Sequence, residues 1–537
     1  MASSSPRRHA LPPPRHRRTL VDDSVAAAAT LVQKWHPEDS GSLFLHADGA
    51  FRAEDDDEAQ RFLRAAADLH RAMLFFASDV THGDHGLAQA QALLQTAMRR
   101  LDLELQLLLH DVQGHATNNI RAVAEAMMAA GYGKECISTF KSHRRTALAA
   151  ELQRLLGFSP PGHFHKLTWD QLDASVIPSW LATAAAAFNS LFTAEKDLCD
   201  TVFAGDAAVG EAVFAAVAND QATSLLAVAE AAVARARRAP ERLFRVLDVH
   251  DTLTEVLPAL LSVFGDSSEV AARAALVVAK VGEAARGTLG SFEAAIQKEP
   301  SKATAAGGAV HPLTRYVMNY LVFLADYQEG LALLYDDDEE DDYEQAADGP
   351  SSIIHRLVSA LLGKLDAKAG CYREVALSYL FLANNTWYVA NKVAGSGKLR
   401  GILGDGWAEE QSAKARAHVD VYVRAAWGKV MAAIGRGAAE GVEAAVMEAV
   451  GMQEQWVAVD EETGEALRAA AMAAVVPKYR MFYRRHGVAV RLTPGDVATM
   501  IAALFGGPLD LSTRNSQRRC IEDPNPSPRR PPPQLLT

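Results

Sequence analysis

Cysteine is scarce in this chain and poorly spaced for chemistry. Cys136, Cys199, Cys371 and Cys520 form no CxxC pair, which argues against a disulfide framework and a zinc site and fits a reducing compartment. Aromatic residues make up only 7% of the 537 residues, and the 49% hydrophobic content leans on Ala and Leu rather than on β-branched residues. Such a composition gives strands little support and predicts helices almost throughout. Long apolar runs are also missing. No stretch reaches the ~18 consecutive apolar residues of a spanning helix. The Arg- and Pro-rich start lacks the apolar centre of a secretory signal. The expectation is a soluble, cytoplasmic protein whose membrane contacts are peripheral.

Catalytic motifs are absent as well. HExxH, GxSxG and GxxxxGK[ST] do not occur, and Gly395-Ser396-Gly397-Lys398 lacks the leading glycine of a phosphate-cradling loop, so it reads as a turn between helices. His163 and His165 alternate in a Pro/Gly loop with no further ligand nearby, and His250 falls on the polar side of its predicted helix. The acidic run Asp336–Asp342 lacks the spaced ligands, central Gly and closing Glu of a calcium loop; seven like charges in a row read as a solvated loop. No enzyme, cofactor or metal is expected.

Charge is unevenly laid out. The net charge is −12, yet residues 1–21 carry five Arg and no acid, and the tail from Pro508 is also rich in Arg. The body between them is therefore more acidic than the total, which would repel nucleic acid. Four regions are expected: a disordered basic start at 1–20, an amino-terminal helical region at 21–110, a helical-bundle domain at 111–507 with the acidic loop at 336–348, and a disordered Pro/Arg-rich tail at 508–537. Pro12, Pro13 and Pro14 spoil the amphipathic helix that an import signal would need.

Within the body, apolar residues recur at helical steps. Gly307–Leu334, GGAVHPLTRYVMNYLVFLADYQEGLALL, places Pro312 at a first helical position. Leu313, Val317, Tyr320, Leu321, Leu324, Gln328, Leu331 and Leu334 follow on one stripe. Leu181, Ala184, Phe188, Leu191, Leu198 and Val202 make another, and Leu243, Leu247, Leu253, Leu257, Leu260 and Phe264 a third. Each stripe must pack on another helix. No fixed repeat period occurs, which favours irregular stacked bundles over a regular solenoid.

One segment has a mechanistic reading of its own. In Ala466–His486, Val475, Tyr479, Phe482 and Tyr483 share an arc of the helical wheel, with Lys478 and Arg485 on one flank and Arg480 and Arg484 toward the other. Two accounts stand open. The arc can lie on an anionic membrane with its cations in the headgroups, or it can be core with the cations as a solvated rim. Arg491 would extend the patch through the next loop.

Several runs are specific enough to carry a resemblance. Besides Gly307–Leu334 they are KWHPEDS (Lys34–Ser40), FLRAAADLHRAM (Phe62–Met73), AGYGKECISTFKSHRR (Ala130–Arg145), the Trp169–Phe203 run, Arg242–Phe264, LRGILGDGW (Leu399–Trp407), VVPKYRMFYRRHG (Val475–Gly487) and the closing ALFGG at Ala503–Gly507. Together they resemble the plant members of the exocyst seventy-kilodalton subunit family across nearly all of Val25–Gly507. The resemblance implies an all-α, elongated rod of consecutive stacked helical bundles without catalysis, tethering secretory vesicles to the plasma membrane during exocytosis. It implies the other exocyst subunits as partners, together with small GTPases. It also implies that basic residues near the carboxy terminus contact phosphatidylinositol bisphosphate and other anionic inner-leaflet lipids; Lys478, Arg480, Arg484, Arg485 and Arg491 match that place. In the family a long amino-terminal helix pairs with another subunit, and the helical material ahead of KWHPEDS is short here. Plant members have diversified into defence and autophagy, so an alternative is an adaptor of the same fold bound to immune regulators or targeted by pathogen effectors.

Overall fold

The fold is seen in a computed structural model that describes residues 14–38, 41–43, 53–78, 84–110, 116–157, 166–336, 350–437, 439–486 and 489–505. Among these residues there is helix and no strand, as the Ala/Leu-rich composition predicts. The 336–348 loop beyond Asp336, the 508–537 tail, and His163 and His165 lie outside the described residues. The chain divides into two compact units, one formed by residues 1–235 with 248–281 and the other by 236–247 with 282–537.

The first unit opens earlier than its sequence suggests. Its first helix runs Pro14–Lys34, so residues 14–20, expected to be disordered, are helical. Proline is compatible with a first helical position because the N–H it lacks has no intrahelical partner there, and the helix continues unbroken into the apolar repeat of Val25, Ala28 and Val32, all buried. Helices Ala53–Ser78, Asp84–His110, Ala116–Ala129 and Gly133–Leu156 follow. Two ion pairs built on buried carboxylates cross this core. Arg100 and Glu104 form a buried ion pair, and Glu104 also accepts from the Leu43 N–H at 2.9 Å and the Ser42 hydroxyl at 2.7 Å, which ties down the chain after Trp35. Glu195, likewise buried, takes three bonds from the Arg144 guanidinium at 2.6–3.2 Å.

Two helices here, Trp169–Val202 and Ala207–Ala236, are long and apolar enough to cross a membrane by length and composition. Both feed the core of the first unit: Trp180 is fully buried and its indole N–H donates to the Leu225 carbonyl at 2.9 Å. Trp169–Val202 contains two π-helical turns, Leu172–Val176 and Ala187–Leu191. Each admits an extra residue and shifts the phase, which is why Phe192, Glu195 and Cys199 are buried beside the expected Phe188, Leu198 and Val202 while Leu191 is only half-buried. Burial pushes the thiols of Cys136 and Cys199 up to about 12, leaving both inert at neutral pH. His250, expected on a polar face, is buried, with its Nδ1 3.6 Å from a carboxylate oxygen of Asp251.

In the second unit the Gly307–Leu334 stretch sets the architecture. Gly307 and Gly308 adopt φ of 62° and 72°, a left-handed conformation open to glycine at little cost. A Cβ on Gly307 would collide with the Gln455 carbonyl oxygen. That close approach lets the Val457 N–H reach the Gly307 carbonyl at 2.9 Å. Two adjacent buried asparagines of the Val375–Ala394 helix complete the clamp. Asn384 donates to the carbonyls of Gly308 (2.7 Å) and Val457 (2.8 Å) and accepts from the Val459 N–H (3.0 Å). Asn385 accepts from the His311 N–H (2.9 Å) and the Thr314 hydroxyl (2.7 Å). His311 in turn caps the helix Pro312–Leu324, its Nδ1 accepting from the Leu313 N–H at 3.1 Å while Nε2 meets the Ala303 carbonyl at 3.0 Å. Lys368, also buried, donates to that carbonyl and to Pro300.

The predicted stripe is buried at Leu313, Val317, Tyr320, Leu321, Leu324, Leu331 and Leu334 but not at Gln328, because the tighter turn Ala325–Tyr327 changes the phase between two helices. The rest of the unit is a carboxy-terminal bundle. Helices Val375–Ala394, Asp405–Arg436, Ala439–Gln453, Glu461–His486 and Pro494–Ala503 share one core around Tyr422, Trp427, Val446, Leu467, Tyr479 and Ile501. Through Val457 and Val459 the asparagine clamp fixes the chain immediately before Glu461–His486.

Candidate functional site: the outward face of a basic helix

Glu461–His486 begins where Asp460 caps the Thr463 N–H at 2.7 Å. Glu461 and Glu462 lie in its first turn and Arg484, Arg485 and His486 in its last, the arrangement that complements the helix dipole. Thr463, Leu467, Ala471, Val475, Tyr479 and Phe482 recur at three- and four-residue steps and are buried. This decides between the two accounts of the apolar arc. Val475, Tyr479 and Phe482 belong to the core and Tyr483 is half-buried against it, so the arc is not available to a membrane. Sequence pattern alone cannot make that distinction, because a core stripe and a membrane-facing stripe have the same period.

The cations point the other way. Lys478, Arg480, Arg484 and Arg485 are all exposed. Among the described residues none of the four is ion-paired, although ion pairs are frequent elsewhere on this chain, as at Lys429–Glu448 and Arg154–Glu151. Met481 stands among them, 57% exposed. Sequence reasoning missed it because the wheel was centred on the apolar arc; the signal was a lone Met spaced three and four residues from Lys478, Arg484 and Arg485.

Arg491 is exposed on the following loop rather than on the helix. Its backbone N–H and that of Leu492 both donate to the Glu443 carboxylate, the latter at 2.7 Å. The Tyr479 hydroxyl donates to the Leu492 carbonyl at 2.9 Å, which pins this loop to the basic helix. Burial, reinforced by the nearby Glu443, pushes the Tyr479 phenol up to about 12. Glu443 thus places a carboxylate beside Arg491, whereas among the described residues the four helix cations have none bonded to them. Phe482 stacks on His486 with ring centroids 4.8 Å apart, closing the end of the helix.

Comparison with known proteins identifies the lineage. Residues 178–503 match the C-terminal family model of the Exo70 exocyst complex subunit, which spans more than half of the chain, and residues 24–111 match the N-terminal family model of the exocyst complex component Exo70. The chain belongs to the Exo70 family. Similar relatives include the Exocyst complex component EXO70C2 of Arabidopsis thaliana, 30% identical over 74% of this chain and 62% of that protein, and EXO70B1 of the same plant, 32% identical over 68% and 61%. The chain therefore spans about three-fifths of the length of these Exo70 relatives. Among solved structures, the S. cerevisiae exocyst component Exo70p aligns with a TM-score of 0.65 over 91% of this chain and 99% of the yeast one, at 12% identity, a likeness that shows the Exo70 fold.

Proposed function

We propose that this chain works as a non-catalytic exocyst subunit that tethers secretory vesicles to the plasma membrane, and that the outward face of Glu461–His486 recruits it to phosphoinositide-rich inner-leaflet membrane. Family membership supports the first clause. The second is carried by one observation: four exposed cations that, among the described residues, have no bonded acid, on a helix whose other side is locked in the core. Each such residue near an acidic leaflet contributes about 1 kcal/mol, so four acting together are worth far more than one. The acidic body weakens long-range attraction, which leaves binding to local charge and makes it sensitive to salt.

Affinity purification from plant tissue tests the proposal. The tagged full chain should bring down other exocyst subunits and fractionate partly with plasma membrane, and the variant with Lys478, Arg480, Arg484 and Arg485 changed to Glu should keep the subunits but leave the membrane fraction. Recovery of immune or autophagy regulators with no exocyst subunit would replace tethering by the adaptor role. Undiminished membrane association of the variant would move recruitment to a partner.

A further inference from the structure

The outward face of Glu461–His486 is not uniformly cationic. At about 100° per residue, Met481 lies near the middle of the exposed arc, with Arg485 and Lys478 roughly 40° and 60° to one side and Arg484 and Arg480 roughly 60° and 100° to the other. Pro477, also exposed, falls between Met481 and Arg484, one turn toward the amino end. Other large apolar side chains are exposed on this chain, such as Val375 and Met447, and singly they are ordinary; what sets Met481 apart is its place in the midst of four cations. It suits a boundary where negative charge and hydrocarbon lie within one side-chain length of each other.

We infer that Met481 inserts into the acyl region of an anionic bilayer while Lys478, Arg480, Arg484 and Arg485 hold the headgroups around it. This rests on the membrane reading above and adds a lipid-penetrating residue to it. The geometry favours a membrane over an acidic protein segment. The cations flank Met481 on both sides of a convex helix surface, and a bilayer satisfies both flanks at once while receiving the side chain between them. The rigidity of the support matters too: the opposite side of the helix is fixed by Val475, Tyr479 and Phe482, so the face is presented without reorganisation.

The test compares full-length wild type, Met481→Ser and Met481→Leu on phosphatidylcholine vesicles carrying phosphatidylinositol bisphosphate, and on soluble inositol trisphosphate as the free headgroup. The serine variant is expected to bind the vesicles about three- to ten-fold more weakly, from the lost burial of part of one apolar side chain. It should bind the soluble headgroup as wild type does, and the leucine variant should restore vesicle binding. Raising salt should leave a residual vesicle affinity in wild type that the serine variant lacks. Equal vesicle binding by Met481→Ser overturns insertion while leaving the membrane reading intact, as does a parallel loss for vesicles and soluble headgroup. Tighter binding of wild type to a poly-glutamate peptide than to the vesicles, weakened by Met481→Ser, overturns it in favour of a protein partner. If wild type ignores the vesicles altogether, the membrane reading falls and takes this inference with it. Should Met481→Ser fail to fold, Met481→Ala carries the same comparison.

Discussion

Two regions of the carboxy-terminal unit handle polarity in opposite ways. In the Gly307–Pro312 clamp, Asn384, Asn385, His311 and Lys368 are buried and their polar atoms are engaged by backbone or hydroxyl groups. On the outward face of Glu461–His486, Lys478, Arg480, Arg484 and Arg485 are exposed and hold no acid among the described residues. The difference separates groups that hold the fold from groups left free to bind. Removing one partner of a buried polar pair costs the desolvation of the group left behind, whereas a solvated charge can be removed with little effect on folding. Substitutions in the clamp should therefore register as lost stability, and substitutions on the basic face as lost binding.

The largest effect should come from Asn384→Leu. It strands the Gly308 and Val457 carbonyls and the Val459 N–H, and should lower stability by about 3–5 kcal/mol, read as an earlier denaturation midpoint. A variant that unfolds like wild type would mean that the clamp is not buried. Gly307→Ala comes next, at about 2–3 kcal/mol, because it adds a Cβ against the Gln455 carbonyl at a left-handed position; circular dichroism melting would measure it.

His311 gives the clamp a pH dependence. Its Nδ1 must stay unprotonated to accept from the Leu313 N–H, and burial, followed by the neighbouring Lys368 cation, holds its pKa below the ordinary histidine value against the opposing pull of the Ala303 carbonyl and Glu299. A histidine kept neutral in the fold contributes stability that is fully present above the unfolded pKa of about 6.5 and declines as pH falls below it, because the unfolded chain then binds the extra proton. Melting temperature should drop on acidification through that range, and His311→Asn, which keeps a capping oxygen, should flatten the drop. An unchanged pH profile in the asparagine variant would assign the effect to another group.

Much of this was legible in the sequence, and the losses have physical causes. The helical class follows from Ala, Leu and periodicity. Pro312 correctly marks a helix start, and Gly307-Gly308 marks a special backbone site, but their purpose was hidden because the Gln455 carbonyl that excludes a Cβ is far away in sequence. Gln328 and Leu191 were misplaced for one reason: a tighter or wider turn resets the helical phase, and an ideal wheel cannot show it. His250, read as a solvated or hydrogen-bonded residue on the polar side, is buried, and one histidine in a helical run gives no sign of that. The four cations stand out in the sequence by type and spacing, and the structure shows them exposed; the exposure of Met481 was not legible because apolar residues were assigned to one side of the helix in advance.

On stability the smallest effect should come from the basic face. Changing Lys478 or Arg480 singly to Glu should shift stability by no more than about 0.5 kcal/mol, and changing Arg484 or Arg485, in the last turn where a cation complements the helix dipole, by about 1 kcal/mol. The most direct test of the account is therefore sedimentation of the full-length quadruple Glu variant with phosphoinositide-containing vesicles across a salt series, with its melting temperature taken on the same preparation. The account predicts a folded variant whose melting temperature falls only by these helix-end contributions, a loss of binding of at least about a hundredfold from four contacts of roughly 1 kcal/mol each, and wild-type binding that weakens as salt rises. A variant that still binds like wild type, a wild type indifferent to salt, or a variant that unfolds would contradict it.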